Sequence, residues 1–214
     1  LCNPNNPTGI LTDREFLFRL LRVCREMGIF LVVDECFQDF IREPGQYSLK
    51  AQLPRYHNLF LLKAFTKRYA MAGVRLGYGI TENEELLEKM TQATQPWNIS
   101  IPAQAAGIAA LGEVEYVERA RKLIFAESEY LSEELYKLGM TVFPSQANYL
   151  FFKGPEDLFE ICVGQNVLIR DCSNYPGLGK GFYRVAVRTH EENERLIQAI
   201  HDGLMEARKK TQEE

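Results

Sequence analysis

The chain has 214 residues, with 25 Lys and Arg against 29 Asp and Glu, a formal charge of −4 and 46% hydrophobic side chains. This is the balance of an ordinary globular protein, long enough for one large domain or two small ones, and it excludes a disordered, collagenous or disulfide-scaffold class. No apolar run approaches the ~20 residues of a membrane span, and scattered Lys and Arg leave no basic patch for a nucleic-acid backbone.

The chain opens on Leu1-Cys2-Asn3-Pro4, with neither an initiator Met nor a signal pattern, and is expected to be a piece of a longer protein. Asn3-Pro4-Asn5-Asn6-Pro7-Thr8-Gly9 packs two Asn-Pro steps and a Gly into a rigid turn with side-chain amides available as donors. Thr12 and Glu15 have capping-box spacing, and Phe16, Leu17, Leu20, Leu21, Cys24 and Met27 recur with a helical period that Gly28 ends. Phe30 to Val33 reads as a strand buried in a parallel sheet. Asp34 and Glu35 follow at its carboxyl end, the side of an open α/β sheet where ligands bind. Asp34 is either a cap of the next element or a ligand-facing acid.

Leu59 to Leu62 is a second strand of the same kind. It leads into Ala64-Phe65-Thr66-Lys67, with Lys67 in a loop, and a third strand is expected around Val74 to Ile80. Helical patterns run from about Glu82 to Leu138, broken at Gly112, and Ala103 to Leu111 is small enough in side chain to pack closely. A domain change near Gly112 divides the chain into 1–112 and 113–214. Beyond it, Thr141 to Phe143, Asn148 to Phe152, Val167 to Ile169 and Tyr183 to Val187 read as strands. Helices are expected at about Glu156 to Gly164 and Glu191 to Arg208, with Arg208 to Glu214 a fraying end. The fold class is α/β, with a smaller second α/β layer.

Cys2, Cys24, Cys36, Cys162 and Cys172 include no C-x-x-C pair and accompany three dispersed histidines. Reduced thiols, a cytoplasmic setting and no metal are expected. Cys36 reads as a small buried filler, and the lone Trp97 either as packing or as a residue lining the site mouth. An amine at Lys67, an acid at Asp34, a guanidinium at Arg75 and the Asn-Pro turn, each near a strand end, would together suit a cofactor with an aldehyde, a pyridine nitrogen and a phosphate.

In that order, Asn3 to Gly9, Asp34-Glu35-Cys36-Phe37, Thr66-Lys67 and Gly73-x-Arg75-x-Gly77-Tyr78 resemble the signatures of the fold-type-I pyridoxal-phosphate enzymes, the class I/II aminotransferase superfamily. The resemblance runs across essentially the whole chain and covers about the second half of a typical member. It implies the later part of the large domain, a mostly parallel sheet with helices on both faces, followed by the C-terminal small domain. It also implies pyridoxal 5'-phosphate as cofactor, a small-molecule substrate and a homodimer of the full-length protein. Lys67 would bind the cofactor aldehyde and move protons at the substrate Cα, and Asp34 would pair with the pyridine nitrogen. Asn6 would donate to the phenolic oxygen, and Arg75 would bind the phosphate beside Thr66. Arg184 would receive the substrate α-carboxylate, Arg170 a second anion, and Asn148 would lie near the substrate.

Phe37 stands where most members of the histidinol-phosphate branch carry a cofactor-bonding Tyr. Ala64 stands where a Ser commonly contacts the phosphate. Pro96-Trp97-Asn98, Arg170 to Leu178 and Arg188 to Asn193 look most like threonine-phosphate decarboxylases of cobalamin biosynthesis. Decarboxylation of L-threonine O-3-phosphate is therefore the leading expectation. Histidinol-phosphate transamination with 2-oxoglutarate, and a non-catalytic cofactor-binding sensor domain, stand as alternatives.

Overall fold

The computed structural model describes Leu1–Glu213, with side chains as far as Lys209. Two compact units emerge, Leu1–Asn6 with Ile10–Arg119 and Pro7–Gly9 with Ala120–Glu214, so the division falls inside a helix beyond Gly112 and the Asn-Pro turn is shared between units. Among the described residues no helix is long and apolar enough to cross a membrane.

In the first unit, α1 (Arg14–Glu26) buries Leu17, Leu21 and Cys24, one helical stripe. Its cap is Asp13 rather than Thr12: the Asp13 carboxylate accepts from the Phe16 N–H at 2.9 Å, the shorter reach to the first turn. The helix ends before Gly28, whose φ is +68°. Strand β1 (Leu31–Asp34) follows, then the short α2 (Pro44–Tyr47) and β2 (Leu59–Ala64). Strands β1 and β2 are parallel in register Asp34 opposite Leu62, and β2 pairs antiparallel with β3 (Gly77–Ile80). Leu31, Val33, Leu59 and Leu61 form one core with Leu17, Leu21, Leu49 and Leu53.

On the far side of β1 the chain's first residues add a parallel bridge. The Asn3 N–H donates to the Asp34 carbonyl at 2.9 Å, and the Asp34 N–H to the Leu1 carbonyl at 2.8 Å. The expected loop at Lys67 is a single helical turn, α3 (Phe65–Arg68). The third strand begins only at Gly77, because Arg75 is left-handed (φ +55°) and interrupts the extended path. Helices α4 (Glu84–Ala93) and α5 (Ile101–Leu111) follow, the latter burying Ala103, Gly107 and Ala110 as its small side chains lead one to expect. Trp97 is 95% exposed, so it does not pack within the described chain.

Gly79 sits where a Cβ would lie 2.0 Å from the Phe60 ring. Gly79→Ala is expected to push that ring aside and lower stability by about 1–3 kcal/mol, read as a drop in Tm.

Helix α6 (Val114–Lys137) leads into the second unit, where β4 (Thr141–Phe143), β5 (Tyr149–Lys153), α7 (Leu158–Gly164), β6 (Arg170–Asp171), β7 (Phe182–Ala186) and α8 (His190–Glu213) follow. The sheet is antiparallel in the order β4-β5-β7-β6. Its inner face, Leu150, Phe152, Tyr183 and Val185, packs on Leu131, Leu135, Leu158, Cys162 and Ile200. The strand expected at Val167 to Ile169 starts instead at Arg170. The Val167 N–H is taken by the Cys162 carbonyl (2.9 Å), which closes the end of α7 before any ladder forms. At the start of α8 the Glu192 carboxylate reaches back to accept from the Thr189 N–H at 3.3 Å, the acidic arm of a capping box, and from the Thr189 hydroxyl at 2.8 Å. Hydrogen bonds from Arg188 and Thr189 hold the Glu192 carboxyl down at about 2. The helix continues through Glu213, so the end expected to fray from Arg208 is helical as far as it is described, and Glu214 lies outside the described residues.

Gly9 is left-handed (φ +71°), and a Cβ there would lie 2.0 Å from the Ser145 hydroxyl oxygen, so only glycine fits this tip. The Gln146 N–H donates to the Gly9 carbonyl at 2.9 Å, tying the tip into the second unit.

Candidate active site

In the first unit the chemistry gathers at the carboxyl ends of β1 and β2. Asp34 is the last residue of β1 and half-buried, and its Oδ1 accepts the Cys36 N–H at 2.9 Å, an Asx turn that fixes the carboxylate as the chain leaves the sheet. Cys36 is thus no simple filler. Burial first, then its hydrogen bond and proximity to Asp34, push the Cys36 thiol up to about 12. Burial and Asp34 likewise raise Cys2. Both sulfurs stay protonated at neutral pH and stand as S–H groups beside the carboxylate. The Asn6 backbone N–H works in the opposite direction on the Cys2 thiol, so Asn6 and Asp34 both act on one cysteine.

Lys67 projects from α3, exposed, with its Nζ 5.2 Å from the centre of the buried Phe37 ring. Thr66 beside it is half-buried. Arg75, just before β3, is exposed, and its Nη1 donates to the Ala72 carbonyl at 3.0 Å.

Sequence reasoning missed the network behind this edge. Glu35 is completely buried. It accepts from the Ser48 hydroxyl at 2.8 Å, from the Leu49 N–H at 2.9 Å and from Lys63 Nζ at 2.9 Å. The signal was present: an acid directly after a buried strand must find a cation, and Lys63 near the end of the neighbouring strand supplies it. Beside it, Arg68 pairs with Asp39 and donates to the Tyr69 hydroxyl at 3.1 Å.

In the second unit Arg170 and Arg184 stand directly opposite each other across the β6–β7 ladder. Arg184 lies over the Tyr149 ring at 5.0 Å, and Arg170 over Tyr175 at 5.6 Å. Asn148, just before β5, is half-buried, and its side-chain Oδ1 is buried without a hydrogen-bond partner, an acceptor that a ligand donor would satisfy.

The donor set of the first unit fits pyridoxal phosphate. Lys67 would offer an amine for the aldehyde, Asp34 a carboxylate for the ring nitrogen and Arg75 a guanidinium for the phosphate.

The family described as aminotransferase class I and II matches residues 1–200. Threonine-phosphate decarboxylase of Salmonella typhimurium (strain LT2) is 35% identical over 208 residues, 95% of this chain and 57% of that protein. Histidinol-phosphate aminotransferase of Desulfitobacterium hafniense (strain DCB-2) is 40% identical over 209 residues, 95% of this chain and 55% of that protein. The chain therefore spans little more than half the length of these relatives. Among solved structures, the histidinol-phosphate aminotransferase from Clostridium acetobutylicum superposes with a TM-score of 0.88 at 33% identity, over 94% of this chain and 61% of that one.

Proposed function

Since the chain belongs to the class I and II aminotransferase family, whose members use pyridoxal 5'-phosphate, we propose that it forms the cofactor- and substrate-binding body of an enzyme that decarboxylates L-threonine O-3-phosphate. The single observation that carries the substrate class is the Arg170–Arg184 pair. Like charges directly opposite on a ladder repel, and the arrangement suits a ligand bearing two anionic groups, a phosphate and a carboxylate.

The cofactor, when bound, supplies an electron sink for negative charge developing at the substrate Cα. Asp34, held by the Cys36 N–H, would face the ring nitrogen and keep its proton in place, and Asn6 would donate to the phenolic oxygen. Arg75 and Thr66 would hold the cofactor phosphate. Arg184 would orient the α-carboxylate and Arg170 the substrate phosphate. As the bond from Cα to the carboxylate breaks and CO2 leaves, Lys67 Nζ would deliver a proton to Cα and so complete the amine product.

A second reading, transamination of histidinol phosphate with 2-oxoglutarate, is favoured by the higher identity, 40%, to the Desulfitobacterium enzyme. The test is the full-length protein loaded with pyridoxal phosphate and given threonine O-phosphate without any oxo acid. Sustained CO2 release is expected. Amino transfer from histidinol phosphate instead would replace the decarboxylase reading with the second one, and cofactor binding without either turnover would identify a sensor.

A further inference from the structure

Arg170 and Arg184 occupy opposed positions on the β6–β7 ladder, and the orientation of the Arg170 guanidinium there needs a physical cause. That cause lies in the turn that follows β6. Arg170 Nη2 donates to the Asn174 side-chain oxygen at 3.0 Å, and the guanidinium lies over the Tyr175 ring at 5.6 Å. The Tyr175 N–H donates to the Cys172 carbonyl at 3.1 Å, closing the turn that carries both residues. Asn174 is a neutral partner, so it orients the guanidinium and leaves its charge intact. The nearest carboxylate in sequence, Asp171, is drawn elsewhere: its Oδ1 accepts the Ser173 N–H at 2.9 Å and its Oδ2 the Ser173 hydroxyl at 2.8 Å.

We propose that Asn174 and Tyr175 are positioning residues that set specificity for a phosphorylated substrate, by orienting the Arg170 guanidinium through a neutral amide and a ring. This rests on the reading above, in which Arg170 receives the substrate phosphate. An arginine pre-ordered by an amide and a ring loses less freedom on binding than one recruited from solvent. An oriented planar fork can also meet phosphate oxygens with paired hydrogen bonds.

The test uses the full-length holoenzyme, with threonine O-phosphate and unphosphorylated threonine as substrates and inorganic phosphate as a competing ligand. Asn174→Ala is expected to raise KM for the phosphorylated substrate about tenfold with kcat within about twofold, the scale of one hydrogen bond to a charged group. Asn174→Asp keeps the shape and the hydrogen bond but sets a carboxylate on Arg170. Its KM is expected to rise about a hundredfold, with loss of competitive inhibition by inorganic phosphate. Tyr175→Ala should resemble Asn174→Ala, while Tyr175→Phe, which keeps the ring, should behave as wild type.

A merely structural Asn174 predicts the reverse order, with the isosteric Asp milder than Ala. That order, or a loss confined to kcat, overturns the proposal. A wild-type enzyme that turns over while showing no preference for the phosphorylated substrate overturns the functional reading and this proposal together. A wild-type preference left untouched by all four variants overturns this proposal alone.

Discussion

Replacing Lys67 with alanine is expected to lower turnover of the full-length, cofactor-loaded protein by about a thousandfold or more. Lys67 is asked to do two things, anchor the cofactor aldehyde and carry the proton at Cα, and positioned acid–base catalysis alone is worth roughly 10²–10⁴. The structure sets its amine at the end of β2, on α3, with Nζ over the Phe37 ring. That ring interacts with a cation without offering an acceptor that would hold the lysine in a fixed hydrogen bond. Lys67→Arg would preserve the cation over Phe37 and yet is expected to fail equally, since a guanidinium is neither a nucleophile nor a proton shuttle near neutral pH. The measurement pairs kcat with borohydride reduction and peptide mapping. Wild type should carry the cofactor on the peptide containing Lys67, and Lys67→Ala should carry none. Turnover within tenfold of wild type would remove Lys67 from the reaction.

The largest expected stability effect lies behind that edge. Glu35 is completely buried, and Lys63, whose side chain is 12% exposed, is its ion-pair partner at 2.9 Å. Removing one member of a buried pair leaves the other charge uncompensated, which costs about 3–5 kcal/mol. Lys63→Met should therefore lower Tm by roughly 10 °C, taking about 2–4 °C per kcal/mol for a chain of this size. The companion Glu35→Gln relieves the stranded charge while leaving an acceptor for the Leu49 N–H and the Ser48 hydroxyl. Glu35→Gln with Lys63→Met is thus expected to regain at least half of the loss, a coupling a double-mutant cycle measures directly. Additive losses would show that the pair contributes through packing rather than charge.

These residues also show why the sequence is legible in some places and not in others. The α1 stripe, the apolar runs of β1 and β2, and the small-residue face of α5 are visible because burial repeats at 3.6 or appears as a short continuous run, a signal carried by neighbours along the chain. The shift of the third strand to Gly77 and the start of β6 at Arg170 were not visible. Each depends on one backbone event, the left-handed Arg75 or the closing bond from Val167 to Cys162, that leaves no periodic trace. Trp97 could be read as packing by composition, yet stands exposed.

For the candidate site the same division holds. Lys67, Asp34, Asn6 and Arg75 lie in short motifs whose spacing is local, so the family resemblance that implies the cofactor can be read along the chain. Other contacts at and behind the site join residues distant in sequence. Lys63 beside Glu35, the Cys2 thiol beside Asp34, and Arg170 opposite Arg184 meet only because strand pairing brings separate segments into register. Linear spacing carries the identity of a reactive group. Its charge state, its restraint and its neighbours depend on burial and cross-strand pairing, and these exist only once the chain has folded.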